Sequence, residues 1–237
     1  MDIQCVIAAG GRGMRLGRLT LRRPKPMVPV CGVPFLARLM TRLAAAGVRR
    51  FVLLTGYGAA DIAGFFGDGR AFGYAIQYSH EESPLGTGGA LRRARNMLDD
   101  DFLFVNADDY PKIDYQIFVE KFQHGHKLAQ VAVCRAADGR LEIDRGTAQV
   151  REFGDSGTFL DCGTKAFSRQ VVEFLPDQPI NLESALWPVL IERGDLIAFE
   201  LAERPYAIDT PAALAEFEDW LHRRQLTDPG AFGTRRR

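Results

Sequence analysis

Short apolar runs alternate along this chain with amphipathic stretches. Ile3–Ala8 is a largely apolar run of the kind that forms a buried strand. Pro34–Ala46 carries Phe35, Leu36, Leu39, Met40 and Leu43 at helical spacing and stops at Gly47. Phe51–Thr55 predicts the next strand, Ala59–Phe66 the next helix and Tyr74–Tyr78 a third strand. Thr87–Leu98 reads as an amphipathic helix, and Phe102–Val105 as a fully apolar strand ending at Asn106-Ala107-Asp108-Asp109. Ile113–Phe122 is helical in pattern and Leu128–Cys134 strand-like. From Gly139 to Leu160 short strand pieces with turns predict a small β-rich insertion, and helices near Ser168–Phe174, Leu182–Arg193 and Pro211–Arg223 close the pattern. The rhythm predicts an α/β fold, a mostly parallel sheet covered by helices on both faces, with ligands at the carboxyl ends of its strands. One domain is expected over residues 1–226, with halves at 1–110 and 111–226; the tail, 227–237, reads as mobile.

Composition narrows the classes. With 46% hydrophobic residues the chain can bury a core, which excludes disorder. No window approaches the roughly 20 apolar residues of a membrane helix, and no signal peptide is visible, so a cytoplasmic location is expected. Cys5, Cys31, Cys134 and Cys162 form no C-x-x-C pair and read as buried thiols in a reducing compartment. His124 and His126 read as part of a solvated turn rather than a metal site.

Charge distribution says more than charge total. Lys+Arg 30 balances Asp+Glu 30, so no nucleic-acid partner is implied. Yet Ile3–Ala60 holds no acid at all. Arg38, Arg42, Arg49 and Arg50 are expected to solvate a helix and its exit; the cluster from Arg12 to Lys25 lies in a loop and awaits an anion.

That loop follows the first strand as Ala8-Ala9-Gly10-Gly11-Arg12-Gly13-Met14-Arg15-Leu16, with Pro24-Lys25-Pro26 beyond it. Glycines let backbone amides approach a phosphate. A dinucleotide fingerprint fails, because the third glycine falls late and the next helix starts near Val33. A P-loop fails for want of Gly-Lys-Ser/Thr. The chain has five lysines against 25 arginines, so a lysine pinned between prolines points to a placed charge.

These residues resemble the signature of sugar-1-phosphate nucleotidyltransferases. Leu85-Gly86-Thr87-Gly88-Gly89-Ala90, Asn106-x-Asp108 and Asp209-Thr210-Pro211 continue the resemblance in order over about residues 3–222. The branch it most resembles is that of the heptose 1-phosphate guanylyltransferases. The resemblance implies a Rossmann-like nucleotide-diphospho-sugar transferase fold, with a nucleotide-binding half followed by a sugar-binding half. It implies magnesium-dependent joining of a nucleoside triphosphate, GTP favoured, to a heptose- or hexose-type sugar 1-phosphate, for cell-surface polysaccharide biosynthesis. Uridylyl or cytidylyl transfer, or a degenerate regulatory module, are the alternatives; a homo-oligomer is left open.

The resemblance assigns catalysis to Arg15, Lys25 and Asp108, and the nucleotide to Ala8, Ala9, Gly10, Gly11, Gly13, Leu85, Gly86 and Thr87. Asn106, Asp161 and Gly163 are its sugar candidates; Arg151 joins them by its position in the sequence, and Glu183, at the start of a helix, reads as a capping carboxylate with a sugar contact as the alternative. Asp108 is expected to bind magnesium, with Asp109 a solvated neighbour. For the second metal ligand the register leaves Ala207 and Asp209 open and favours Asp209. The sequence departs from the family at Ala107, where a glycine is usual, and at Asp161-Cys162-Gly163, where the family reads Asn-Ala-Gly. The usual Glu-Lys-Pro is missing, which brings in Arg151 as a substitute phosphate contact.

Overall fold

The computed structural model describes residues 2–21 and 23–224. β1 (Gln4–Ala8) leads through a long loop to a ribbon of β2 (Pro29–Val30) and β3 (Val33–Pro34). Then come α1 (Phe35–Ala45), β4 (Arg50–Thr55), α2 (Ala59–Phe66), β5 (Ala75–His80), α3 (Gly86–Arg93) and β6 (Asp101–Asn106). The second half supplies β7 (Asp109–Tyr110), α4 (Tyr115–Gly125), β8 (Ala129–Ile143) and β9 (Val150–Ser168). It ends with α5 (Leu182–Glu192), β10 (Leu196–Glu200), β11 (Tyr206–Ala207) and α6 (Pro211–Arg224).

A seven-stranded sheet in the order β10–β8–β9–β6–β1–β4–β5 forms the centre. Within it only β9 runs against the rest. Side chains alternate across the pleat. Cys5 and Ile7 of β1 therefore join a core under α1, α2, α4 and α6, while Val6 joins the core under α3 and α5. The expected apolar stripe of α1 is buried in full, and the helix stops where Gly47 turns to φ 102°. α4 starts on Asp114, whose carboxylate accepts from Gln116 N and Ile117 N.

Several expectations change. The β-rich insertion is the outer half of a hairpin in which β8 and β9 extend out of the main sheet. Gly139 and Gly157 sit at its crossing; a methyl on either would come within 2.6 Å of the opposing backbone. The helix expected over Thr87–Leu98 is α3 followed by a 3₁₀ turn at Arg95–Met97, and Arg169–Phe174 is likewise 3₁₀. β10 was not anticipated. Cys31 is only partly buried, unlike the other three thiols. Arg38 and Arg42 donate to the Val30 and Ile113 carbonyls instead of merely facing water, and Arg50 lies in β4, paired with Asp2 and Asp99. His124 accompanies the C-terminal turn of α4, its Nδ1 2.7 Å from Glu120 O. The expected mobile tail lies outside the described residues. No helix among those described is long and apolar enough to cross a membrane.

Candidate active site

β1 pairs in parallel with β4 on one side and β6 on the other, and their carboxyl ends open into one crevice. A cavity of about 630 Å³ lies there. Its wall is built from the loop after β1 (Gly10, Gly11, Arg12), Lys25, Gly56 and Tyr57 after β4, and Glu81 after β5. Gly86 and Thr87 of α3, Asn106 and Asp108 after β6, and Glu183 of α5 complete it.

Lys25 sits at one end in a 3₁₀ turn, Lys25–Met27, with only 9% of its side chain exposed. Its Nζ donates to Asp108 Oδ2 at 2.6 Å and also to Asp209 Oδ1. Gly13, at φ 66°, leaves room for the lysine stem; a methyl there would lie 2.6 Å from Lys25 Cβ. Burial opposes the ammonium, but the Asp108 charge and the bonds to both acids outweigh it, so its pKa lies above the ordinary lysine value. Arg15, on the exposed 3₁₀ stretch Met14–Thr20, donates to Asp209 Oδ1 at 2.9 Å. Arg12 stacks over Tyr57 with its guanidinium carbon 5.3 Å from the ring centre.

A two-residue ribbon brings the acids together. β11 pairs antiparallel with β7, setting Ala207 opposite Asp109, and Ile208 N donates to Asp108 O at 3.1 Å. The next residue, Asp209, thereby meets Asp108 at Lys25, while Ala207 stays in the ribbon. Among the described residues no three His, Cys, Asp or Glu side chains form a metal cluster. Magnesium commonly takes one or two carboxylates and completes its shell with water and phosphate oxygens. Two anionic oxygens converging on one cationic point fit that ion.

Asp109 is not the solvated neighbour expected. Its Oδ2 accepts from Asn106 Nδ2 at 3.2 Å and lies against Gly163, where a methyl would approach within 2.1 Å. Burial, then the Asp108 charge, pushes its carboxyl up to about 7.

The predicted nucleotide residues divide. Ala8, Gly10, Gly11, Gly86 and Thr87 line the cavity, while Ala9 is buried beneath it. Gly86 and Gly88 make close packing against Ile180, and Thr87 Oγ1 accepts from Leu182 N at 2.9 Å, fixing the start of α5. Leu85 contributes its N–H, which donates to Glu81 Oε2 at 3.0 Å. Of the sugar candidates, Asn106 and Glu183 line the cavity. Asp161 and Gly163 lie behind it, linked by a 2.8 Å bond from Gly163 N to Asp161 Oδ1. Arg151 does not join them: it is exposed on the outer arm of the β8–β9 hairpin, paired with Asp144 at 3.1 Å.

Sequence reasoning missed two groups. Glu81 follows directly on β5, a strand end where an acid could have been flagged. Its Oε1 points at Gly10 and Gly56, where added methyls would lie 3.1 and 2.8 Å away. Lys165 is fully buried between Asp161 and Glu183; its rarity as one of five lysines was the available signal.

Known proteins resemble this chain in sequence and in fold. The family model described as "Nucleotidyl transferase" matches residues 4–147. The mannose-1-phosphate guanylyltransferase of Mycobacterium tuberculosis is 33% identical over 215 residues, covering 86% of this chain and 60% of that protein. The catalytic subunit beta of the Danio rerio mannose-1-phosphate guanylyltransferase is 30% identical, covering 84% and 59%. The chain thus spans about three fifths of the length of these curated relatives. The crystal structure of HddC from Yersinia pseudotuberculosis complexed with GMP-PN superposes with a TM-score of 0.78 at 29% identity, covering 92% of this chain and 99% of that one. A putative glucose-1-phosphate thymidylyltransferase from Bacillus anthracis, at 20% identity and TM-score 0.81 over 92% and 94% of the chains, shares the fold. By this family match, which spans more than half of its length, the chain belongs to the nucleotidyl transferase family.

Proposed function

We propose that this chain joins GTP to a sugar 1-phosphate of hexose or heptose type, yielding a GDP-sugar and pyrophosphate. The observation that carries the reading is the cavity with Lys25 held by Asp108 and Asp209 at one end and Glu81 fixed within the same wall. In the reaction a sugar-phosphate oxygen bonds to the α-phosphorus as the bond to the bridging β-phosphate oxygen breaks. The nucleophile is already anionic, so no general base is required. The task is to gather anions and to stabilise the departing charge.

Lys25 has three donors, and the two acids engage two of them, which leaves one for a phosphate oxygen. The raised pKa keeps that nitrogen charged. Arg15 and Arg12 stand near the mouth as planar forks suited to phosphate. Asp108 and Asp209 would hold magnesium, which supplies charge neutralisation on the triphosphate when bound.

Glu81 favours guanine. A carboxylate only accepts hydrogen bonds, and guanine presents N1–H and N2–H donors side by side. Uracil and thymine flank their single N–H with oxygens, which a carboxylate repels. The relatives named as guanylyltransferases support the same base. A purely regulatory module has no need for two acids gathered at a buried lysine.

The test is pyrophosphate release from GTP, UTP, CTP and dTTP, each offered with mannose 1-phosphate and D-glycero-D-manno-heptose 1-phosphate. GTP with one of these sugars should dominate. Release with no pair, or a pyrimidine triphosphate in the lead, would overturn the proposal.

A further inference from the structure

Lys165 lies on β9, which enters the sheet beside β6 with Phe104 opposite Lys165 in register. Its side chain has 0% exposure and shares the sheet face of Phe104 and Phe167, an apolar surface covered by α5 with its Trp187. Nζ donates to Glu183 Oε1 at 2.8 Å and stands 3.0 Å from Asp161 Oδ2. Glu183, in the first turn of α5, lines the cavity; Asp161 and Lys165 do not.

An ion trio on an apolar face is a poor way to gain stability. Desolvating such charges is costly, and well-packed apolar side chains of like volume are often as stable or more so. The ammonium has a purpose there only if a carboxylate must stay charged and fixed at the cavity wall.

We propose that Lys165 is a positioning residue for the sugar, holding Glu183 in the orientation in which its carboxylate accepts hydroxyl groups of the sugar 1-phosphate. The inference rests on the sugar-phosphate reading of the cavity given above. A carboxylate has about four lone-pair sites; Lys165, the Glu183 N–H and the Asn181 amide hold it from the protein side, and its cavity-facing site can receive a sugar hydroxyl. Asp161 completes the device from behind, its Oδ1 held by the Gly163 N–H and its Oδ2 beside Nζ. Burial alone would raise the Glu183 carboxyl; Lys165 holds it below its ordinary value. Asp161, where burial prevails, is raised. The lysine thus favours charge on Glu183, the member of the trio that faces the cavity.

The test is steady-state kinetics of Lys165→Met with GTP and the sugar 1-phosphate that the parent turns over. KM for the sugar 1-phosphate should rise about tenfold or more, with KM for GTP within about twofold. In a Glu183→Gln background the same substitution should add less than about twofold to the sugar KM, because its action runs through Glu183. The charge-balanced Lys165→Met/Asp161→Asn variant carries the same expectations should the single variant fold poorly. A merely structural lysine would lower the thermal midpoint with the sugar KM unchanged, or raise both KM values together, and either result overturns the inference. So would independent effects of Lys165→Met and Glu183→Gln. A parent inactive on every sugar 1-phosphate sinks the sugar-phosphate reading and this inference with it; an active parent with unchanged Lys165→Met kinetics sinks this inference alone.

Discussion

Asp108 and Asp209 meet at one nitrogen. One follows β6 and the other follows β11, and the β7–β11 ribbon carries both to Lys25 Nζ. Asp209→Ala should fold, since the ribbon is held by backbone bonds. It should also raise the magnesium concentration needed for half-maximal rate, because the proposed site loses one of its two anionic ligands. A magnesium titration that overlays the parent's would remove Asp209 from the metal site.

Lys25→Ala should lower kcat by about 10²–10³-fold, since a charge preorganised for the transition state is lost. Lys25→Arg should recover little of it. The stem runs tightly past Gly13, and a planar fork does not replace a compact ammonium. Near-parental turnover of Lys25→Ala would take the lysine out of the chemistry.

Glu81→Gln tests the base. The parent should prefer GTP to ITP, which lacks the N2 amino donor, and the variant should narrow that preference by about tenfold or more. An unchanged GTP/ITP ratio of kcat/KM would show that Glu81 does not read guanine.

Asp109 gives a dependence on pH. Its carboxyl is raised to about 7 in the fold, against about 3.9 in an unfolded chain. Between those values the folded state holds a proton that the unfolded state has released, so this group's contribution to stability falls as pH rises towards 7. Asp109→Asn carries no charge to bury. In metal-free buffer its thermal midpoint should gain on the parent's between about pH 4 and pH 7. A difference constant across that range would contradict the assignment.

The parallel half of the fold was legible because its strands are short apolar runs with glycine or acids at their carboxyl ends. α1 and α2 stand within a residue of their predicted bounds for the same reason of periodicity. The β8–β9 hairpin was obscured by a buried lysine and three glycines in β9, which break any apolar run. The glycine loop, Lys25 and the two acids could be named from spacing. Glu81, directly after β5, lay within reach of the same rule; Lys165 and the enclosure of Asp109 did not, since each depends on a partner brought near by the sheet, Glu183 and Gly163. Arg151 shows the converse, a residue near the right motif in sequence that the hairpin carries away.

The central claim is transfer of the guanylyl group itself. It is tested most directly with GTP labelled at the α-phosphorus, incubated with magnesium and a sugar 1-phosphate. The label should pass into a GDP-sugar, with unlabelled pyrophosphate released in equal amount. Label that stays in GTP, or that appears as free GMP without a sugar nucleotide, would contradict it.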